Sequence, residues 1–163
     1  MGDTFPIEHQ IAHNWCWAAV AVSVHHYLSP DTNLRQCELA SRLLNHDPRC
    51  CEDPVPDDLD RPQQLDDALT AAKIVNHPKP PLNFREIREQ IDAGLPVCAR
   101  IGWIGQNSGH AVVICGCPVS ANGEQWVDIA DPFFPNSTIR LDEFSNSYEG
   151  AGEWAESFLV EEM

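Results

Sequence analysis

Gln10-Ile11-Ala12-His13-Asn14-Trp15-Cys16-Trp17-Ala18-Ala19 is the stretch on which the reading of this chain turns. A cysteine stands where an apolar segment begins, and a glutamine lies six residues upstream of it. Trp17, Val20, Ala21, Val24 and Leu28 recur at helical spacing. The spacing predicts a helix over residues 14–28, stopped by Ser29-Pro30-Asp31. Cys16 then occupies the first turn, where the positive end of the helix dipole favours a thiolate over a thiol. A thiolate attacks carbonyl carbon, and an amide donor such as Gln10, with a backbone N–H at Cys16, stabilises the oxyanion that forms.

Such a thiol needs a histidine and a group to orient it. Of the seven histidines, only His110 combines a glycine before it, an apolar strand after it and an opposable carboxylate (Ser108-Gly109-His110-Ala111-Val112-Val113-Ile114). Gly109 permits close backbone approach beside it. Val119-Ser120-Ala121-Asn122-Gly123 reads as a hairpin loop with an Asn-Gly turn. Folded about residue 121, His110 lies eleven positions before the turn and Asp131 ten after it, so the two nearly oppose each other on paired strands. Asp131 thus orients the imidazole and fixes its tautomer. Asp128, three residues earlier, faces the other way on a regular strand. Phe133 and Phe134 follow as either a shield for the His110–Asp131 bond or ordinary core and rim aromatics.

Around these residues the chain reads as helices first and an antiparallel sheet second, an α+β order. A second helix is expected over Leu34 to Leu44, capped by Thr32 or Asn33, and a short one over Gln63 to Ala72. Residues 1–13 are an extended lead-in that places Gln10, and residues 45–62 an irregular connection. Pro78, Pro80 and Pro81 form a rigid extended stretch. Asn83 caps a helix with Phe84, Ile87 and Ile91 on one face, closed by Gly94. Strands are expected over Pro96 to Ile101, His110 to Cys117 and Gln125 to Ala130, with two more over Thr138 to Leu141 and Ser157 to Val160. Residues 1–163 are read as one domain, with a helical half over about 1–94 and a sheet half over about 95–163.

Composition narrows the function classes. Ten Lys+Arg against 25 Asp+Glu give a formal charge of −15, which argues against nucleic acid and against an anionic membrane surface as partners. No apolar run approaches the roughly 20 residues that span a bilayer. Met1 to Gln10 has neither a basic n-region nor an apolar h-region. The expected setting is therefore a reducing one with mostly free thiols: cytoplasmic, or reached by a secretion system that uses no signal peptide. Seven cysteines leave at least one unpaired within a monomer. Cys37, His46, Cys50 and Cys51 match no common zinc spacing, so neither a metal nor another cofactor is expected. In an oxidising compartment Cys37 has Cys50 or Cys51 as a disulfide partner. Trp103 either lines a cleft or is an exposed loop aromatic.

Taken together, Gln10, Asn14-Trp15-Cys16-Trp17-Ala18-Ala19, Gly109-His110-Ala111-Val112-Val113 and Asp131-Pro132 resemble the papain-like cysteine peptidase superfamily. The resemblance is to compact bacterial members: double-glycine leader peptidases, and the cysteine protease effectors that bacterial pathogens deliver into plant cells. The Trp-Cys-Trp-Ala-Ala string, Gln36-Cys37 and Cys50-Cys51 resemble the effectors most. The resemblance implies a papain-like fold, with the nucleophile helix packed on the antiparallel sheet. It implies Cys16 as nucleophile, His110 as general base and acid, Asp131 as orienting residue and Gln10 as oxyanion donor. The expected activity is peptide-bond hydrolysis of a protein or peptide through a thioester. A glutamine deamidase or transpeptidase-type toxin would use the same four residues, and a silent peptide-binding module would keep only the fold. The sequence names no activating or delivery partner.

Overall fold

The computed structural model describes residues 5–163. The first four residues of the expected lead-in lie outside the described residues. Five helices and six strands follow in the order α1 (Cys16–Leu28), α2 (Gln36–Leu43), α3 (Leu65–Ala71), β1 (Asn76–Lys79), α4 (Phe84–Asp92), β2 (Val97–Trp103), β3 (Gly109–Gly116), β4 (Trp126–Ala130), β5 (Ser137–Arg140), α5 (Leu141–Ser147) and β6 (Gly152–Val160). The strands form one antiparallel sheet in the order β1-β6-β2-β3-β4-β5.

The sheet is covered on both faces, which explains the unbroken apolar run of β3. Ala111, Val113 and Cys115 point to one side and pack with α1, α2 and α3. Val112 and Ile114 point to the other and pack with Ile87 of α4, Phe144 of α5 and Trp154 of β6. Successive residues of a strand alternate faces, so a strand with two buried faces loses the polar half of its pattern. α1 is buried from Trp17 to His25 all the way round, which is the mark of a central helix rather than a surface one. Two of its polar side chains bond to backbone carbonyls: Ser23 Oγ donates to Ala19 O at 2.7 Å, and a His25 ring nitrogen pairs with Ala72 O at 2.8 Å.

Local chemistry sets most boundaries. Asn83 Oδ1 accepts from Glu86 N at 2.8 Å, and Glu86 Oε1 accepts from Asn83 N at 2.9 Å, a reciprocal capping box. Gly94 ends that helix at φ +80°, a left-handed conformation that costs glycine little. Ser120-Ala121-Asn122-Gly123 is a tight turn, closed by Gly123 N to Ser120 O at 3.0 Å.

Several expectations change. α2 is capped at Arg35 rather than Thr32 or Asn33, because Glu38 Oε1 accepts from the Arg35 N–H at 3.0 Å. The proline stretch is not merely a spacer: Asn76 to Lys79 adds β1 to the sheet edge beside β6. An edge strand tolerates Pro78, since a proline lacks only an N–H that can face away from the partner. Leu141, expected to end a strand, instead opens α5 (Leu141–Ser147), whose other residues the sequence reading left unassigned. The division into a helical half and a sheet half near residue 94 therefore does not hold strictly. β1 comes from before it, and α5 lies after it. The irregular connection 45–62 contains two short 3-10 turns, Pro48–Cys51 and Asp57–Leu59.

The expectation of mostly free thiols also changes in one place. Cys37 in the first turn of α2 is disulfide-bonded to Cys51, leaving Cys50 a buried thiol beside it. The bridge closes a loop of sequence separation 14, for which loss of unfolded-chain entropy gives about 3 kcal/mol. The Cys37→Ser/Cys51→Ser protein should unfold at a urea concentration lower by the equivalent of about 3 kcal/mol. Equal midpoints with and without reductant would mean that the bridge is not formed.

Candidate active site

Cys16 opens α1 behind Trp15, which occupies the N-cap without a capping side chain. The N–H groups of a first helical turn have no intrahelical acceptor, so they are open to an anion at the thiol. The turn before the helix is fixed by the connection that crosses it. Trp15 Nε1 donates to Leu59 O at 3.0 Å, Trp17 Nε1 to Arg61 O at 2.9 Å and Asn14 N to Asp60 Oδ1 at 2.6 Å. Asn14 Nδ2 adds a bond to Asp60 O at 3.0 Å. The residues flanking the thiol are thus anchored in one direction, and Cys16 itself is half-buried.

His110, 7% exposed, reaches towards Cys16 from β3 across the helix–sheet boundary, and its ring interacts with the thiol. Its Nε2 pairs with Asp131 Oδ1 at 2.8 Å, which leaves Nδ1 as the nitrogen for Cys16. The strand carrying the ring lies close against β2: a Cβ on Gly109 would sit 2.8 Å from Ile101 O, so the residue before the histidine has to be glycine. Trp103 stacks along the imidazole at 5.8 Å between centroids and 20° between planes, and Phe134 meets it edge-on at 5.8 Å. Trp103 therefore lines the site, and Phe134 shields the histidine. Phe133 is 44% exposed and packs between the exposed His9 and His13.

The contact between His110 and Asp131 forms, but not by the expected register. The ladder pairs Val113 with Ala130 and Ile114 with Ile129, then shifts before Gly116 and Asp128. Extended, that register sets Asp131 nearer Val112 than His110. Asp131 instead follows the end of β4 in a turn of its own. Its Oδ1 accepts from Phe133 N at 2.8 Å and Phe134 N at 2.9 Å, and its N–H donates to Asn136 Oδ1 at 3.0 Å. An aspartate that binds the backbone two and three residues on makes such a turn. Asp128 is elsewhere, accepting from Thr138 Oγ1 at 2.6 Å across the β4–β5 ladder.

Tyr148, which the sequence reading passed over, completes the carboxylate shell. Its hydroxyl donates to Asp131 Oδ2 at 2.5 Å from the end of α5. A lone tyrosine 17 residues past the aspartate carries no local signal of this role. Gln36 is a second such residue. It is 1% exposed and holds the lead-in by three bonds: Nε2 to Glu8 Oε1 at 3.1 Å and to His9 O at 2.9 Å, and Oε1 from Ile11 N at 3.0 Å.

Gln10 sits between those anchors, 7% exposed, and its N–H donates to Pro132 O at 2.9 Å, tying it to the Asp131 turn. Its Nε2 donates to His13 O at 2.6 Å and Ala12 O at 3.2 Å, and Oε1 is buried without a partner among the described residues. The structure thus brings Cys16, His110 and Asp131 together, with His110 hydrogen-bonded to Asp131 and interacting with the Cys16 thiol. It places Gln10 beside them, with its amide donors turned to its own loop.

Charge follows from this wiring. Burial alone would strip the His110 proton, but the hydrogen bonds and charges of Asp131 and Cys16 outweigh it and raise the ring from 6.5 to about 9. Burial likewise opposes the Asp131 charge, and His110, the Tyr148 hydroxyl and the Phe133 N–H override it, holding the carboxyl below its ordinary value. An imidazolium beside a thiol is the arrangement that stabilises a thiolate. Cys37 and Cys51, being bridged, offer no thiolate to a metal.

The sequence matches the papain-like cysteine protease AvrRpt2 family over residues 2–149. The chain belongs to that family. At family level it is a papain-like cysteine peptidase of bacterial effector type, and a protease family implies a protein substrate. A search of curated proteins finds no match to the chain. No helix among the described residues is long and apolar enough to cross a membrane.

His110 binds its proton more tightly in the folded chain than in the unfolded one. The stability it contributes is complete below about pH 6.5 and disappears as pH rises through about 9. The urea midpoint should therefore fall between those pH values, and the fall should shrink in His110→Ala. An equal fall in both proteins would mean that some other group drives it.

Proposed function

We propose that this chain is an endopeptidase acting as one catalytic domain, in which Cys16 attacks the scissile carbonyl of a protein or peptide substrate. The observation that carries the reading is the buried chain from the Cys16 thiol through the His110 ring to the Asp131 carboxylate, at the N-terminus of a helix. Proximity of thiol and imidazolium yields a thiolate without an external base. Attack converts the carbonyl to a tetrahedral oxyanion, which the Cys16 backbone N–H and Gln10 Nε2 stabilise. The longer Gln10 bond, to Ala12 O at 3.2 Å, is the one that a charged oxygen displaces, since charge-assisted bonds are about twice as strong. His110 gives its proton to the departing amine and leaves a thioester. It then takes a proton from water, whose hydroxide attacks the thioester and releases the acid and the Cys16 thiolate. Asp131 keeps the ring in register through both halves.

Iodoacetamide labelling near pH 6, mapped by mass spectrometry, tests the thiolate directly. Cys16 should be modified ahead of every other thiol, and the preference should vanish in His110→Ala. Labelling spread over several cysteines with Cys16 inert would favour a silent peptide-binding module. Product mass separates the remaining chemistry: new peptide termini mark hydrolysis, whereas a one-dalton gain without cleavage marks glutamine deamidation.

Substitutions then rank the roles. Cys16→Ala should abolish turnover with the fold intact. Gln10→Ala should lower kcat by roughly 10² to 10³, the usual loss for one oxyanion donor. Asp131→Ala should damage activity far more than Asp128→Ala, and the reverse order would remove Asp131 from the mechanism. A wild-type rate in Gln10→Ala would leave the oxyanion to backbone donors alone.

A further inference from the structure

We propose that Tyr148 is a positioning residue for this site: its hydroxyl locks the Asp131 carboxylate against the His110 ring and thereby sets the pH range over which the Cys16–His110 pair stays active. The inference rests on the cysteine-peptidase reading of Cys16, His110 and Asp131. Tyr148 is 1% exposed, and its hydroxyl donates to Asp131 Oδ2 at 2.5 Å, the oxygen that His110 does not use. The two carboxylate oxygens are thus divided. Oδ1 serves the histidine and two backbone N–H groups, and Oδ2 serves the tyrosine alone in the described structure.

The phenol is held as firmly as what it holds. Tyr148 N donates to Gly152 O at 2.8 Å, and Tyr148 O accepts from Gly152 N at 2.9 Å and Ala151 N at 3.1 Å. Its ring meets Phe144 at 5.3 Å and 74°, and Phe144 packs in turn on Trp154 at 5.2 Å. The corner between α5 and β6 therefore delivers the hydroxyl at a fixed point. A carboxylate torsion is soft and roughly two-fold, so an anchor on each oxygen is what prevents Asp131 from rotating away from the ring.

The ionisable groups around this chain are few. Cys16 from α1 and Asp131 from the turn after β4 act on His110, and Asp131 and the neighbouring Glu149 act on Tyr148. The side chains packed round them from β2, α5 and β6, namely Trp103, Phe144 and Trp154, are uncharged. Without the phenol, Asp131 holds a proton to higher pH, because an ionised carboxylate loses a donor that favours it. His110 also gives up its proton at lower pH, because the carboxylate is no longer pressed against it. Both limbs of the activity profile move inward.

The test compares wild type, Tyr148→Phe and Leu69→Ala, a core variant from the cluster that does not contain Tyr148, in two profiles against pH: kcat and KM on a peptide substrate, and the rate of Cys16 alkylation by iodoacetamide, which requires no substrate. Tyr148→Phe should lower kcat by about tenfold with KM within about twofold, and should narrow both profiles by about half a pH unit at each limb. Leu69→Ala should lower the melting temperature and leave the limbs where they are. Superimposable profiles for Tyr148→Phe and wild type, or equal narrowing by Leu69→Ala, overturn the proposal. A wild-type Cys16 that reacts no faster than the other thiols overturns the thiolate reading and this inference with it.

A second measurement stands if Tyr148→Phe does not fold. The chain has two tyrosines, so 3-fluorotyrosine in a Tyr27→Phe background labels residue 148 alone. Its fluorine resonance should shift with pH at the same limbs as alkylation. A resonance that stays put across that range overturns the coupling.

Discussion

A buried carboxylate must be satisfied or it does not stay charged, and the satisfaction of Asp131 organises this molecule. The side chain accepts from His110, the N–H groups of Phe133 and Phe134, and the Tyr148 hydroxyl. Those donors come from β3, from the turn after β4 and from the end of α5, so one charge ties together three parts of the sheet half. Their combined pull exceeds the penalty of burial and keeps the carboxylate ionised. That charge in turn keeps a proton on His110 despite the burial of the ring. Trp103 and Phe134 exclude water from the pair, which makes the interaction stronger than it would be in solvent.

The helical side meets this arrangement through the segment before Cys16. Ser23 Oγ accepts from Glu8 N at 2.9 Å, Gln36 grips residues 8, 9 and 11, and Pro132 O accepts from Gln10 N. The segment carrying Gln10 is therefore pinned by α1, by α2 and by the Asp131 turn at once. The Cys37–Cys51 bridge is next in sequence to Gln36, so the same end of α2 that grips the lead-in is fastened to the 3-10 turn at Pro48–Cys51. The helices and the sheet share a packed core, and at the site a handful of hydrogen bonds fixes how the two sides meet.

Much of this was legible in the residues. The helical spacing of Trp17, Val20, Ala21, Val24 and Leu28 located α1 and put Cys16 at its first turn. Asn83 announced its helix cap, and Asn122-Gly123 its turn. What escaped was whatever depended on partners distant in sequence. β1 contains Pro78 and is a strand only because β6, eighty residues later, offers an edge. α5 has a single buried residue, Phe144, and so too little apolar periodicity to be seen. The His110–Asp131 contact was anticipated on a simple hairpin register that the ladder does not follow; the shift near Gly116 and the turn after β4 reach the same contact by another route.

The sequence by itself determined α1 to α4 and the central strands, the identity of the thiol at a helix start and the histidine at a strand start, because these rest on local periodicity and on spacing along the chain. Only the tertiary structure decided which cysteine pairs with Cys37, that Gln36 clamps the lead-in, that the Gln10 amide faces its own loop and that Tyr148 holds Asp131. Each of these is a short-range bond between residues with no local pattern linking them. Hydrogen bonds and disulfides are fixed by distances of a few ångströms, and such distances exist only once the core has packed.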